Sequence, residues 1–383
     1  MQPSPYTPGE VAREVPGRNE QLAQTDERLS YLVDLHRLVG RVRVDIAPRG
    51  LGKTSLLREV QRRADARRVL TVWVTAGESK GLIASIADEL ERVTRNWRTE
   101  SRRRLSERLE RLTVTVGVPG ARLQTEWAPN RNRVYGVREF EDVVRDTVAA
   151  GAKEKHTGLV LFVDEIQEAD RDGLRTLAYA WQHLQSEGQD VPAAVFAAGL
   201  PNSPDTITSV VTFSERFAYR KLDRLTDDAA LLALAAPART LGVTWTEDAL
   251  AQAVAQAEGY PYLLQLIGDA TWTAGGHPAR SGVLTADHVH AAQQAVREDL
   301  DAMSRARWQK CTPSEQKVVR AMAALGDAPV RRAAIAAELG VTTQDLSVAR
   351  AKLLDKGIIE TAGHGVLMFT IPGFAQYVRD RES

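Results

Sequence analysis

The clearest chemistry in this chain lies in Arg49-Gly50-Leu51-Gly52-Lys53-Thr54-Ser55. Two glycines one residue apart let the backbone approach a ligand where a Cβ would block it. A lysine and a threonine at the mouth of a helix add a cation and a hydroxyl to a row of backbone amides. That combination suits a polyphosphate. In this reading the amides of Arg49, Gly50, Leu51, Gly52 and Ser55 face phosphate oxygens, Lys53 reaches the β- and γ-phosphates, and Thr54 ligates magnesium. Ala47 stands where the full eight-residue pattern has its first glycine. A second group closes the apolar run Gly158-Leu159-Val160-Leu161-Phe162-Val163 with Asp164 and Glu165. A carboxylate at such a strand end holds magnesium beside a phosphate chain, and its neighbour can polarise the attacking water as a general base. No Asn-Lys-x-Asp guanine-reading signal occurs, so the expected ligands are ATP and Mg²⁺.

These groups need a scaffold that presents a loop and a strand end together. Val42–Ile46 reads as a strand and Thr54–Ala66 as a helix. Val69–Val74, Leu159–Val163, Ala193–Ala198 and Phe217–Leu222 read as four more strands, separated by helical stretches. The alternation predicts an α/β fold with a parallel five-stranded sheet, and unalternated runs such as Leu159–Val163 predict strands buried on both faces. Residues 1–20 read as an extended, proline-rich lead-in. Residues 98–136 read as an insertion with an arginine-rich stretch, eight arginines against four glutamates from Glu91 to Arg111, densest at Arg102-Arg103-Arg104. A small hairpin is expected there, Val114–Val118 and Ala121–Gln124 around the Pro119-Gly120 turn. The default reading of its arginines is a solvated helix face.

In these motifs, and in their order, the chain resembles the AAA+ class of P-loop ATPases. Within it, the clade of STAND ATPases and origin-recognition initiators fits best. Val15-Pro16-Gly17-Arg18 resembles the box that contacts the adenine, which implies such a role for Gly17 and Arg18. Arg49–Thr54 and Val163-Asp164-Glu165 resemble its two Walker motifs. Ala198-Gly199-Leu200-Pro201-Asn202 resembles the sensor-1 region, where Asn202 would orient water. Ser214-Glu215-Arg216 resembles the segment of the arginine finger, so Arg216, with Arg220 as rival, would act on a neighbouring subunit's ATP in a homo-oligomer. Gly259-Tyr260-Pro261 resembles the Gly-x-Pro motif of STAND lids, whose proline, here Pro261, lies near the base. No arginine occurs from Tyr260 to Pro278, so the usual sensor-2 arginine is missing, a departure that favours a nucleotide-gated switch over rapid turnover.

From Thr226 onward the pattern is helical, with Thr226 and Thr246 placed as N-caps. Thr312-Pro313-Ser314-Glu315 combines cap, first-turn proline and capping-box glutamate. The tail then reads helix (Thr312–Ala324), helix (Arg332–Leu339, closed by Gly340), helix (Thr342–Lys356), strand, turn, strand. This is the pattern of a winged helix-turn-helix. Thr343, Gln344, Ser347 and Arg350 are the candidate DNA contacts, with Arg331, Arg332 and the wing-tip His364 beside them. Residues 312–383 carry nine Lys and Arg against eight Asp and Glu, a net of only +1, so a protein partner for this module stays open.

The 383 residues thus divide into a P-loop domain (1–223), a helical lid (224–305) and a winged-helix domain (306–383), with ATP·Mg²⁺ held between the first two. Lys+Arg and Asp+Glu both number 50, so any basic surface must be local. The lone Cys311 excludes an intrachain disulfide and, with no apolar run of membrane length and no leader pattern, predicts a cytoplasmic setting. Three functions remain open. One is an AAA+ ATPase that couples nucleotide state to duplex-DNA binding. Another is a STAND-like switch whose winged helix binds protein. The third is a nucleotide-binding module with no useful turnover, which Ala47 and the missing sensor-2 arginine favour.

Overall fold

The computed structural model describes residues 1–78, 80–116, 135–187 and 190–381. It divides into two compact units. One holds residues 18–46 and 53–221, the other residues 1–17, 47–52 and 222–383.

The first unit opens with α1 (Asn19–Asp34) and alternates from there: β1 (Arg43–Ile46), α2 (Lys53–Ala66), β2 (Leu70–Thr75), α3 (Leu82–Val93), α4 (Thr99–Val116), α5 (Tyr135–Lys153), β3 (Leu159–Asp164), α6 (Arg171–Glu187), β4 (Ala193–Gly199), α7 (Ser203–Thr208) and β5 (Ala218–Lys221). The five strands form one sheet in the order β2-β3-β4-β1-β5, every pairing parallel. β3 and β4 are buried along their whole length, as their unbroken apolar runs require. β1 is buried from Arg43 to Asp45 but mixes apolar and charged side chains: Val44 is packed in the core while Asp45 meets Arg220 directly across on β5, in a two-pronged ion pair at 2.7 and 2.8 Å.

One expectation fails here. Val114, Thr115 and Val116 belong to α4 and not to a strand. Leu105, Leu109 and Leu112 recur at helical spacing and are buried, so the amphipathic stripe carries the helix through the β-branched residues. The remainder of the expected hairpin lies outside the described residues. Several α4 arginines pair locally, Arg108 with Asp142 and Asp146 on α5 and Arg104 with Asp146.

The second unit contains α8 (Asp227–Thr240), β6 (Thr244–Trp245), α9 (Glu247–Ala257), α10 (Pro261–Ala274), β7 (Val283–Leu284) and α11 (Ala286–Gln309). It continues with α12 (Pro313–Ala324), β8 (Val330–Arg331), α13 (Arg332–Leu339), α14 (Ser347–Asp355), β9 (Ile359–Gly363), β10 (Val366–Phe369) and α15 (Phe374–Asp380). Thr226 caps α8 by accepting from the Ala229 amide. Thr312 and Glu315 form the reciprocal capping box of α12. The N-terminal segment is stapled to this helical unit. Tyr6 is 2% exposed, stands edge-on to Trp245 and Trp272, accepts from the Trp245 indole N–H at 2.9 Å and donates to the Leu234 carbonyl.

At the C-terminus, β8, β10 and β9 form an antiparallel three-stranded sheet beside α12, α13 and α14. The third helix is shorter than expected: turns occupy 343–346 and α14 begins at Ser347. Asp345 explains the start. Its Oδ2 accepts from the Thr342 amide and hydroxyl at 2.9 and 2.7 Å, so this exposed carboxylate caps the turn ahead of the helix.

Candidate functional site

The phosphate loop leaves β1 and runs without a break into α2. Gly50 and Gly52 hold φ of +87° and +83°, where a side chain is strained, which is the local reason for two glycines here. At Gly52 an added Cβ would meet no atom within 4 Å, so its backbone conformation alone excludes larger residues. At Gly50 the space is also taken. A Cβ would lie 2.1 Å from the Tyr260 hydroxyl, which donates to the Arg49 carbonyl at 2.8 Å. The Tyr262 amide donates to the Gly50 carbonyl at 3.2 Å. Both contacts come from the segment read as a lid motif. Gly259 turns it at φ +68° against the Leu225 carbonyl, which a Cβ would approach to 2.3 Å, and Pro261 takes the first position of α10. Gly17, at φ +74°, lies against Ala229, whose Cβ would be 2.5 Å from a side chain there.

In the sheet unit, Lys53 and Ser55 are buried at the start of α2. The Thr54 hydroxyl donates to Asp164 Oδ2 at 2.7 Å, and the Glu165 amide donates to Oδ1 at 3.0 Å. Burial pushes the Asp164 carboxyl above its ordinary value, against the pull of Thr54, the Glu165 amide and Lys53. A hydroxyl and a carboxylate meeting at one point are hard oxygen donors, and they suit a small divalent cation such as magnesium. Glu165 follows in the left-handed region, at φ 51° and ψ 44°. Such a conformation is uncommon for a side-chain-bearing residue and clusters at functional sites.

Sequence reasoning missed Gln167. Its Nε2 donates to Glu165 Oε2 at 2.6 Å, and its Oε1 accepts from the Leu200 amide at 2.9 Å. One side chain thus ties the candidate base to the end of β4. Nothing in the sequence marks it, because the tie depends on β3 and β4 lying side by side. Gln167→Ala is expected to lower kcat by roughly 10- to 150-fold at nearly constant KM, because the neutral bond to a charged partner is worth roughly 1.5–3 kcal/mol. Steady-state ATPase assays check this, and a change confined to KM would refute it. Asn202 follows β4 as the residue before α7, with its buried Oδ1 lacking a partner among the described residues.

Of the two finger candidates, Arg220 is committed to Asp45, with side chains 12% and 5% exposed. Arg216 is exposed on a short 3₁₀ turn, Ser214–Arg216. Arg41 braces that turn by donating to the carbonyls of Glu215, Arg216 and Phe217. Arg220→Ala should therefore destabilise the sheet unit by about 3–5 kcal/mol, since it strands a buried carboxylate. Arg216→Ala should leave stability unchanged, and denaturant unfolding of both variants distinguishes the two roles.

Arg18 is buried at the start of α1. Of the four residues placed at a DNA surface, Gln344 and Ser347 are exposed, while Thr343 and Arg350 are half-buried. Arg331 and His364 are exposed and Arg332 half-buried, its amide donating to the Gly365 carbonyl at 2.8 Å. Among the described residues no cluster of three or more His, Cys, Asp or Glu is arranged to hold a metal ion, and no helix is long and apolar enough to cross a membrane.

Comparison with known proteins agrees with this geometry. Residues 14–192 match the family model described as AAA ATPase domain, and residues 301–378 match a domain of unknown function (DUF8462). No curated protein matches the chain. Among solved structures, the fold is similar to the Walker-type ATPase PABY2304 of Pyrococcus abyssi, at 15% identity over 99% of each chain with a TM-score of 0.61. It is equally similar to the Aeropyrum pernix ORC2 protein, at 14% identity over 98% of this chain and 96% of that one, with a TM-score of 0.61. The glycine loop, the paired carboxylates at a buried strand end, the parallel sheet order and the family match together identify residues 14–192 as an AAA+ P-loop ATPase domain.

Proposed function

We propose that the protein binds ATP with magnesium, hydrolyses it, and couples its nucleotide state to duplex DNA through a C-terminal winged helix. The observation that carries the nucleotide reading is the 2.7 Å contact of Thr54 with Asp164, with Glu165 next in the chain. The loop amides and Lys53 would bind and orient the phosphates. Thr54 and Asp164 would hold magnesium, which when bound offsets phosphate charge. Glu165 would take a proton from the attacking water, and Asn202 would orient that water. Arg216, exposed on its braced turn, would reach the ATP of a neighbouring copy. Gly17, Arg18 and Pro261 would contact the adenine. The Aeropyrum pernix ORC2 protein, similar in fold, was obtained as ADPNP and ADP complexes, which supports an adenine nucleotide as ligand.

In the C-terminal domain, Thr343, Gln344, Ser347 and Arg350 would face DNA. A second reading rests on Val348, which is 68% exposed on α14 with Val341 at 41% nearby in sequence. Apolar side chains on that face also suit a protein partner, as a STAND-like switch would need.

Fluorescence anisotropy with a duplex, run with ATP, with ADP and without nucleotide across a salt series, separates the two. Salt-sensitive binding that follows the nucleotide and weakens in Arg350→Ala supports DNA coupling. No binding in any state, with ATP affinity intact in the wild type and lost in Lys53→Ala, moves the switch to first place.

A further inference from the structure

The phosphate loop and the C-terminal domain are linked by hydrogen bonds and by two arginines near Tyr260, all within one compact unit. The link starts at the Arg49 carbonyl, held by the Tyr260 hydroxyl at 2.8 Å, and at the Gly50 carbonyl, held by the Tyr262 amide at 3.2 Å. Arg307, in the last turn of α11, stands within electrostatic reach of that tyrosine. The same guanidinium reaches the C-terminal domain: Nη1 donates to the Gly357 carbonyl and, at 2.9 Å, to Thr370 Oγ1. The Thr370 hydroxyl, 1% exposed, donates in turn to the Gly357 carbonyl at 2.8 Å. Arg224 runs beside this path, 5.8 Å from the centre of the Tyr260 ring, and donates to the Glu258 carbonyl at 3.2 Å and the Thr370 carbonyl at 3.5 Å.

Two features make this more than packing. First, the lid has no arginine from Tyr260 to Pro278, yet a half-buried cation, Arg307 from far along the chain, acts electrostatically on Tyr260 and Arg49. Second, the contacts grip carbonyls. In a phosphate cradle the amides face the ligand, so donors on the carbonyl side hold the loop with its amides turned the other way. Burial keeps the Tyr260 hydroxyl protonated at neutral pH, as a donor must be.

We propose that Tyr260 and Arg307 are positioning residues that preorganise the phosphate loop only while the Gly357–Thr370 edge of the C-terminal domain is engaged, so that nucleotide affinity and the seating of that domain are reciprocally coupled. The proposal rests on the nucleotide reading above. It adds the route by which any partner that pulls on the C-terminal domain loosens the loop. Coupling of this kind is symmetric in binding free energy, so ATP also tightens the seating of the domain.

The test uses the full chain as wild type, Tyr260→Phe, Thr370→Val and the double variant, each checked for an intact fold by thermal unfolding. Affinity for a fluorescent ATP analogue with magnesium is measured beside amide hydrogen exchange of the nucleotide-free protein. Tyr260→Phe should weaken binding roughly fivefold to tenfold, the loss of about one hydrogen bond. Thr370→Val, far from the loop in sequence, should weaken it in the same direction, and the double variant should be little worse than the stronger single one. Without nucleotide, either substitution should speed exchange in both 47–53 and 357–370. Multiplicative effects in the double variant, or faster exchange only around the substituted residue, would overturn the relay. A wild type that binds no ATP analogue would instead refute the nucleotide reading, and the exchange data would still decide whether the two segments are coupled. If Thr370→Val unfolds, Thr370→Ser serves, and it should leave both readouts near wild type because it keeps the hydroxyl.

Discussion

Glu165→Gln is expected to lower ATP turnover by roughly 100- to 10,000-fold while leaving affinity for ATP with magnesium within a few-fold of wild type. The amide keeps the size and hydrogen-bonding reach of the carboxylate but cannot accept the water proton. Asp164, the Thr54 hydroxyl and the Glu165 amide are hydrogen-bonded to one another and do not depend on that side chain. Phosphate-release assays and equilibrium binding measured on one preparation check both halves of the statement. A variant that turns over at the wild-type rate would assign the base elsewhere, and one that fails to bind would make Glu165 part of the metal site. Lys53→Ala should do the opposite and abolish binding, since a buried cation proposed to face the phosphates cannot be replaced from solvent.

Tyr6→Ala is expected to destabilise the helical unit by about 3–5 kcal/mol, the range for truncating a large buried aromatic. Tyr6 leaves a gap beside Trp245, Trp272 and Gly268, and both the Trp245 indole N–H and the Leu234 carbonyl lose their partner. Tyr6→Phe separates the parts. It keeps the ring and removes the two hydrogen bonds, for about 1–3 kcal/mol. Denaturant melts followed by tryptophan fluorescence read the effect directly, because two of the tryptophans flank the ring. Equal stability of Tyr6→Ala and wild type would mean that the N-terminal segment contributes nothing to this unit.

The nucleotide-binding half of the candidate site was legible in the chain because its chemistry is local. Gly50, Gly52, Lys53 and Thr54 act through consecutive backbone, and Asp164 and Glu165 through one strand end, so spacing alone carries the signal. The same holds for the Thr312–Glu315 cap and for helix α13, whose residues Arg332–Leu339 and closing Gly340 were read directly. Boundaries set by competition between local signals were read less well. Val114–Val116 have strand-forming side chains, but a leucine stripe begun at Leu105 keeps them helical. The third helix of the tail starts at Ser347 because Asp345 and Thr342 close a turn ahead of it.

What the sequence by itself determined is the class of fold, the phosphate-loop motif with its paired carboxylates, and the largely helical character of the chain after Thr226, though not the short strand pair Thr244–Trp245 and Val283–Leu284. Each is encoded in periodicity or in spacing over a few residues. Tertiary structure alone decided which of two arginines is spent on a structural ion pair, that Gln167 ties Glu165 to the Leu200 amide, that Tyr260 holds the loop at the Arg49 carbonyl, and that Arg307 bonds to Gly357 and Thr370. In each case the partners lie tens to hundreds of residues apart and meet only because parallel strands or packed helices bring them together. A side chain's role there is a property of its neighbours in space, and no pattern along the chain records who those neighbours are.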